Sequence, residues 1–375
     1  MERCDVLVVG GGPAGSSCAW RLRRAGLDVA VIDRRRFPRD KVCAGWITPQ
    51  TLGALELDPL LYAKDHVLQP IRGFRVSRLG GHVARVDYRV PVSYGIRRCE
   101  LDAFLLVRAG ARLHLGDPAR SFRRESGRWI VNDAIEAPLI VGAGGHFCPV
   151  AQHLGAVAGP PAPVIAAQEI EFRLDDADAV RCPVEQEIPE LYFTPDLAGY
   201  GWIVRKDGWL NVGLGRQDVH GLSEHVARFV AALQAAGRLT SALPARLHGH
   251  AYLLHGESSR PLGGDGVLLV GDAAGLAYPR SGEGIRPAVE SGLLAASAIL
   301  DARRSGAGDP LPRYEASLRA RFGPAGGGGA RPRARLPNAI KRALAGRLLG
   351  NRLFARHVVL DRWFLHRHEP ALAQA

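Results

Sequence analysis

Residues 5–33, DVLVVGGGPAGSSCAWRLRRAGLDVAVID, constrain this chain more than any other stretch. Val6–Val9 is an uninterrupted apolar run of the kind buried inside a parallel sheet. Gly10-Gly11-Gly12-Pro13-Ala14-Gly15 breaks it, a helical stretch follows to Ala25, and Val29–Ile32 is a second apolar run. Strand, glycine turn, helix and strand in that order form the unit that receives a dinucleotide. Gly10 allows the tight turn, Gly12 lets the backbone approach a pyrophosphate, and Gly15 lets the helix pack closely on the strand. Pro13 and Ala14 belong to the same turn, where the helix N-terminus presents N–H groups and partial positive charge to phosphates. Asp33 stands 18 residues beyond Gly15, where a carboxylate accepts hydrogen bonds from a ribose diol; Arg34 beside it joins the cofactor-binding candidates.

A length of 375 residues suits two or three domains, and 47% apolar with 23% charged residues is a globular composition. No run approaches the roughly 18 apolar residues of a membrane span, and the first strand begins at once, which predicts a cytoplasmic protein without a signal peptide. The six cysteines form no CxxC pair and no Cys/His cluster, so neither a disulfide framework nor a metal site is expected. Net charge is +12, yet residues 331–368 alone hold ten Arg or Lys against one acid, Asp361. That concentration argues against a nucleic-acid partner and for one local basic element. Within it Ile340, Leu344 and Leu348 recur at helical spacing. Two readings follow: peripheral contact with an anionic membrane, or a helical segment packed on the body with its arginines in water.

Along the chain, 1–66 reads as the first part of a dinucleotide domain and 67–97 as inserted antiparallel strands. The dinucleotide domain resumes at 98–165, with a helix over Glu100–Gly110, a hairpin around Glu125-Ser126-Gly127, and Leu139–Val141 running into Gly142-Ala143-Gly144-Gly145. Residues 166–254 alternate polar and apolar, as in Glu169–Leu174, and carry one amphipathic helix over Leu222–Gly237; they read as a substrate domain on an antiparallel sheet. The third part of the dinucleotide domain, 255–310, holds Val267–Val270, Gly271-Asp272-Ala273-Ala274-Gly275, Pro279–Gly284 and a helix from about Ile285 to Leu300. The C-terminal basic helical segment, 311–375, contains a glycine-rich joint at 323–332. The fold class is therefore α/β, a discontinuous Rossmann-like domain with an inserted antiparallel-sheet (α+β) domain.

The order GGGPAG, GAGG, GDAAG…SGEG resembles the FAD-binding proteins of the p-hydroxybenzoate hydroxylase-like superfamily, and within it the geranylgeranyl reductase family. Asp40-Lys41-Val42-Cys43-Ala44-Gly45 is similar to that family's K-x-C-G-G stretch, with Ala44 where glycine is usual, and Gly199–Val204 resembles its Y-x-W-x-F-P. The resemblance implies FAD as cofactor, with Arg98 at a helix start and Lys41 and Ala44 beside it. It places Gly271 and Asp272 at the ribityl and pyrophosphate region. Gly282, Gly284 and Ile285 fall at the flavin pyrimidine edge, where a helix N-terminus stabilises negative charge. Cys43 is set beside the flavin as a proton donor, the plainer alternative being a packing cysteine. Tyr200 and Trp202, two apart on one strand face, become walls of a cavity for a hydrophobic substrate, or else ordinary core.

What the resemblance implies is reduction of a C=C bond in an isoprenoid or prenylated substrate by hydride from reduced FAD. The electron donor stays open among NADPH, NADH and an electron-donor protein such as ferredoxin, because Gly144 replaces the aspartate with which aromatic hydroxylases contact a nicotinamide. A flavin-dependent monooxygenase or halogenase is the alternative, weakened by the missing GDAAH and by a single tryptophan in Tyr200–Val204. A non-catalytic FAD-binding module is a third reading.

Overall fold

The computed structural model describes residues 1–155, 164–217, 220–257, 260–324 and 346–372. In chain order its principal elements begin with β1 (Val6–Val9), α1 (Pro13–Arg24) and β2 (Val29–Asp33). Next come β3 (Gly73–Arg78), β4 (Val83–Asp87), α2 (Arg98–Arg108), β5 (Arg112–Leu115) and β6 (Leu139–Gly142). The middle of the chain supplies β7 (Val164–Arg173), β8 (Glu190–Phe193), β9 (Gly199–Lys206), β10 (Trp209–Arg216), α3 (Leu222–Ala235) and β11 (His248–Leu253). Finally β12 (Val267–Leu269), α4 (Ile285–Ser305), α5 (Leu311–Phe322) and helical turns over Arg352–Phe364 close it.

One sheet runs β12-β6-β1-β2-β5, all parallel, with the short strand Gly263–Gly264 antiparallel on its outer edge. Val6, Leu7, Val8, Val29, Ala30 and Val31 are fully buried, as apolar runs covered on both faces must be. The chain leaves β1 toward β2 on one side and returns to β6 on the other, so β1 and β6 flank the switch point where such sheets bind ligands. Gly10, at φ +115, turns the chain there; a Cβ would stand 2.4 Å from the Ala143 carbonyl oxygen. Helices α1 and α4 cross in close contact above the sheet.

The second sheet has seven strands in the order β11-β7-β10-β9-β8-β3-β4, antiparallel except for β8 on β3. Residues 67–97 form antiparallel pairs, as expected. Two of their strands complete this sheet, and Leu68–Ile71 and Ser93–Ile96 join Trp46–Ile47 in a small sheet between the two large ones. One face of the seven-stranded sheet packs on Val226, Phe229 and Leu233 of α3. The opposite face carries Tyr200, Trp202, Val204 and Lys206 of β9 toward the dinucleotide domain. The helix foreseen to Leu300 continues to Ser305, where Gly306 adopts the left-handed conformation that ends it.

From the C-terminal basic stretch, the described residues 346–372 pack on the body. Ala355, Val359, Leu360, Phe364 and Leu365 are buried, and Tyr88 donates to Asp361 at 2.9 Å. These apolar side chains are spent on protein, while Leu353 is exposed. Ile340, Leu344 and Gly326–Gly329 lie outside the described residues. Among the described residues no helix is long and apolar enough to cross a membrane.

Candidate active site

The first flank of the site is the turn after β1. Asp33 ends β2, and its Oδ2 accepts the Gly11 N–H at 2.7 Å while Oδ1 accepts the Arg35 N–H at 2.8 Å. The carboxylate thus fastens the glycine turn while facing it; Arg34 is exposed beside it. Helix α1 begins at Gly12 with no side chain capping it, so its first N–H groups point outward for an anion.

The second flank follows β12. Asp272 lies in a 3₁₀ turn, with its carboxylate 3.5 Å from His250 Nε2, and Lys41 Nζ lies 2.5 Å from the same nitrogen. Burial would raise Asp272, but the His250 hydrogen bond and the Lys41 charge hold it down at about 2. Burial pushes Lys41 down to about 8 against the pull of Asp272. His146, after β6, is driven down to about 4 by burial and by Arg260, and its buried Nδ1 has no hydrogen-bond partner among the described residues. A few residues on, Gly282 donates to the Tyr278 carbonyl at 2.9 Å and lies against the Tyr252 hydroxyl. Gly284 opens α4 without a side-chain cap of its own, and the Glu283 carboxylate takes the Arg286 N–H at 2.7 Å. Ile285 is the buried first residue of that helix.

Between these flanks lies Cys43. Its Sγ accepts the Gly45 N–H at 3.3 Å. Arg98 is held bidentately by the buried Asp102, at 3.0 and 2.9 Å, with Arg39 3.3 Å from the same carboxylate. The sequence reading named Arg98 but not the aspartate that anchors it, although Arg98-x-x-x-Asp102 is a helical i,i+4 pair.

Above Cys43 stands an aromatic wall. Tyr200 donates to the Ser281 carbonyl at 2.5 Å, tying β9 to the SGEG turn. Its ring centroid lies 6.0 Å from Trp202 and 5.1 Å from Phe364 of the C-terminal segment. Trp46 and Phe193 each lie 6.4 Å from Phe364, and Val42 and Ala44 pack against the same cluster. The Trp202 indole lies across Gly213, where a Cβ would come within 2.3 Å of it, and donates to Asn211 Oδ1 at 2.7 Å.

Beneath Cys43 the sheet is polar. Asn211 Nδ2 donates to the Cys43 carbonyl at 3.1 Å and to Glu169 Oε2 at 2.5 Å. Lys206, fully buried, donates to the Ala44 and Ile96 carbonyls at 3.2 and 3.0 Å and pairs with Glu171. Burial pushes Glu169 up to about 7; burial also raises Glu171, but the Lys206 charge and hydrogen bond bring it below its ordinary value. Sequence reasoning missed Glu169, Glu171, Lys206 and Asn211, and also His250 and Tyr252. The alternation around Glu169 was legible, but its polar phase reads as solvent-facing until a second domain is seen to cover it.

These residues fit a flavin dinucleotide: an uncapped helix start for its pyrophosphate, a strand-end aspartate for its ribose, a second aspartate and a glycine turn for its ribityl chain and pyrimidine edge, and an orphaned buried imidazole nitrogen beside them.

The family model described as FAD dependent oxidoreductase matches residues 5–83. A menaquinone reductase of Mycobacterium tuberculosis (strain H37Rv) is 33% identical over 328 residues, covering 80% of this chain and 78% of that protein. A geranylgeranyl diphosphate reductase of Rhodobacter capsulatus is 32% identical, covering 80% and 76%. Among solved structures, a geranylgeranyl bacteriochlorophyll reductase-like protein of Thermoplasma acidophilum superposes with a TM-score of 0.77 at 22% identity, over 98% of each chain.

Proposed function

Because this chain belongs to the geranylgeranyl reductase family of FAD-dependent oxidoreductases, we propose that it saturates a C=C bond in the isoprenoid chain of a prenylated lipid, a prenylated quinone being the first candidate. The observation that carries this reading is the juxtaposition at Cys43. Val42 and Ala44, on either side of Cys43, pack on the apolar wall of Tyr200, Trp202, Trp46 and Phe364, and Tyr200 ties that wall to Ser281 beside the Gly282–Ile285 turn, the surroundings that a greasy alkene with no polar handle requires.

Gly12 at the start of α1, Asp33 and Arg34 would hold the adenosine end of FAD. Asp272, with Lys41 and Arg98 near it, would hold the centre, and Gly282, Gly284 and Ile285 the flavin ring. Bound FAD, reduced by an external donor, supplies the hydride. The aromatic wall excludes water and faces the electron-deficient carbon with π-density, which favours developing positive charge. Cys43 delivers the proton to the carbon next to the one that receives hydride, and takes its replacement from solvent. The balance is two electrons from the donor, one hydride and one proton to the alkene. The named activities of the relatives support this substrate class.

The test is anaerobic. Holoprotein reduced with dithionite is mixed with prenylated quinones and other prenylated lipids, and flavin absorbance and product mass are followed. Re-oxidation with a gain of two hydrogens is the expected result. A flavin that stays reduced until air enters, followed by product carrying one added oxygen, would replace this reading with an oxygenase.

A further inference from the structure

The stretch Lys41–Gly45 has no regular structure, so its peptide groups must find partners outside any helix or sheet ladder. They find them on side chains of the seven-stranded sheet. The Cys43 carbonyl accepts from Asn211 Nδ2 at 3.1 Å, the same Nδ2 donates to Glu169 Oε2 at 2.5 Å, and the Ala44 carbonyl accepts from Lys206 at 3.2 Å. Gly45 closes the stretch, its carbonyl accepting the Ile96 N–H at 2.8 Å. Glu169 and Asn211 come from adjacent strands, β7 and β10, in a register that pairs Asn211 with Glu171 and sets Glu169 one step along the same face. Both are almost wholly buried. Burying a carboxylate and an amide between two domains is costly, and an apolar pair would join the domains at least as well. What an apolar pair cannot do is hold a peptide group in one orientation.

We infer that Asn211 and Glu169 are positioning residues, Asn211 gripping the Cys43 peptide at its carbonyl and Glu169 fixing the Asn211 amide, so that the thiol stays aimed between the aromatic wall and the flavin turn. The catalytic part of this inference rests on the proton-delivery role proposed for Cys43; the grip itself does not. Trp202 belongs to the same device, because its indole N–H fixes the Asn211 amide in the orientation that presents Nδ2 to Cys43.

The experiment uses FAD-loaded protein with Glu169→Ala, Glu169→Gln and the isosteric Asn211→Asp. Alkylation of each cysteine by iodoacetamide is read by peptide mass, with the half-exposed Cys99 and Cys182 as internal references. Hydrogen exchange over 41–46 is read alongside. Glu169→Ala and Asn211→Asp are expected to speed Cys43 alkylation about tenfold, the factor one lost hydrogen bond carries, and to speed exchange, with Cys99 and Cys182 unchanged. In turnover kcat falls while KM for the lipid holds. Glu169→Gln keeps an acceptor for the Asn211 amide and restores wild-type labelling. Wild-type labelling and exchange in both disruptive variants would overturn the inference; if Glu169→Ala does not fold, Asn211→Asp decides alone. Should Cys43→Ala leave turnover untouched, the proton-delivery role falls and the labelling still judges the grip. Unchanged labelling beside a dead Cys43→Ala removes the grip alone.

Discussion

At the scale of single residues, Cys43 and Gly213 make the sharpest demands. Cys43→Ala leaves every backbone partner of the loop in place, so FAD content and visible spectrum should stay as they are while kcat drops about a hundredfold, the lower range for loss of a positioned acid. Cys43→Ser, a weaker acid of similar size, should fall between. Gly213→Ala forces a methyl into the space of the Trp202 indole, 2.3 Å away, with Glu169 Cβ 2.7 Å off on the other side. The ring must tilt out of the wall, and KM for the lipid should rise severalfold with FAD binding retained, read by steady-state kinetics against a flavin titration. Glu169 makes a prediction about pH. Its carboxyl is raised to about 7 from 4.5, so the folded protein holds a proton that the unfolded chain releases between those values. Stability contributed at this site is therefore full below about pH 4.5 and is lost as pH rises through about 7. His146, lowered to about 4, acts in the opposite sense, so the diagnostic is a difference. Urea melts of wild type minus Glu169→Gln should show a gap that moves against the wild type from pH 4.5 to 7 and is flat above.

Among elements, the C-terminal segment depends on one buried arginine. Arg286, directly after the SGEG turn, is 1% exposed and donates to the carbonyls of His366, Glu369 and Pro370 at 3.3, 3.1 and 2.9 Å. Its Nε bonds the fully buried Glu290 at 2.9 Å, and Arg321 of α5 binds both Glu290 and the Pro370 carbonyl. Tyr278 completes the joint, stacking on His366 at 3.6 Å and donating to Glu369 at 2.8 Å. Phe364, the lid of the aromatic wall, rides on this anchor. Arg286→Met leaves Glu290 buried with one partner fewer, a change of about 3–5 kcal/mol. The variant should be cut by trypsin within 352–367 under conditions where wild type is resistant, and should lose lipid turnover before it loses flavin. Trypsin patterns identical to wild type would show that the segment is held elsewhere.

For the whole molecule, the reading of this chain divides along a physical line. Local periodicity and glycine chemistry dictate β1–α1–β2, because an apolar run covered on both faces, a positive-φ turn and a strand-end acid leave a short stretch few alternatives. The same holds for the turns at Gly271-Asp272 and Gly282-x-Gly284, where Gly271 and Gly282 take positive φ, and for α3, whose apolar residues share one helix face. Family resemblance added FAD and placed attention on Cys43, Tyr200 and Trp202, and the relatives establish the oxidoreductase and its cofactor. Out of reach in the sequence was everything whose partner lies across the domain boundary. Strands from 67–97 join the sheet of 166–254 through hydrogen bonds between residues more than a hundred positions apart, such as Arg75 with Glu190. His250 against Lys41 and Phe364 over Tyr200 are pairings of the same kind. Glu169 and Glu171 show the reason most clearly. In sequence they are the outward phase of an alternating strand, and alternation says that a strand has two unlike faces without saying what covers each. Sequence alone thus determined the dinucleotide turn and the alternation of strands such as Glu169–Leu174; tertiary structure decided that the polar face looks inward, onto the backbone of Cys43, because a second domain closes over it.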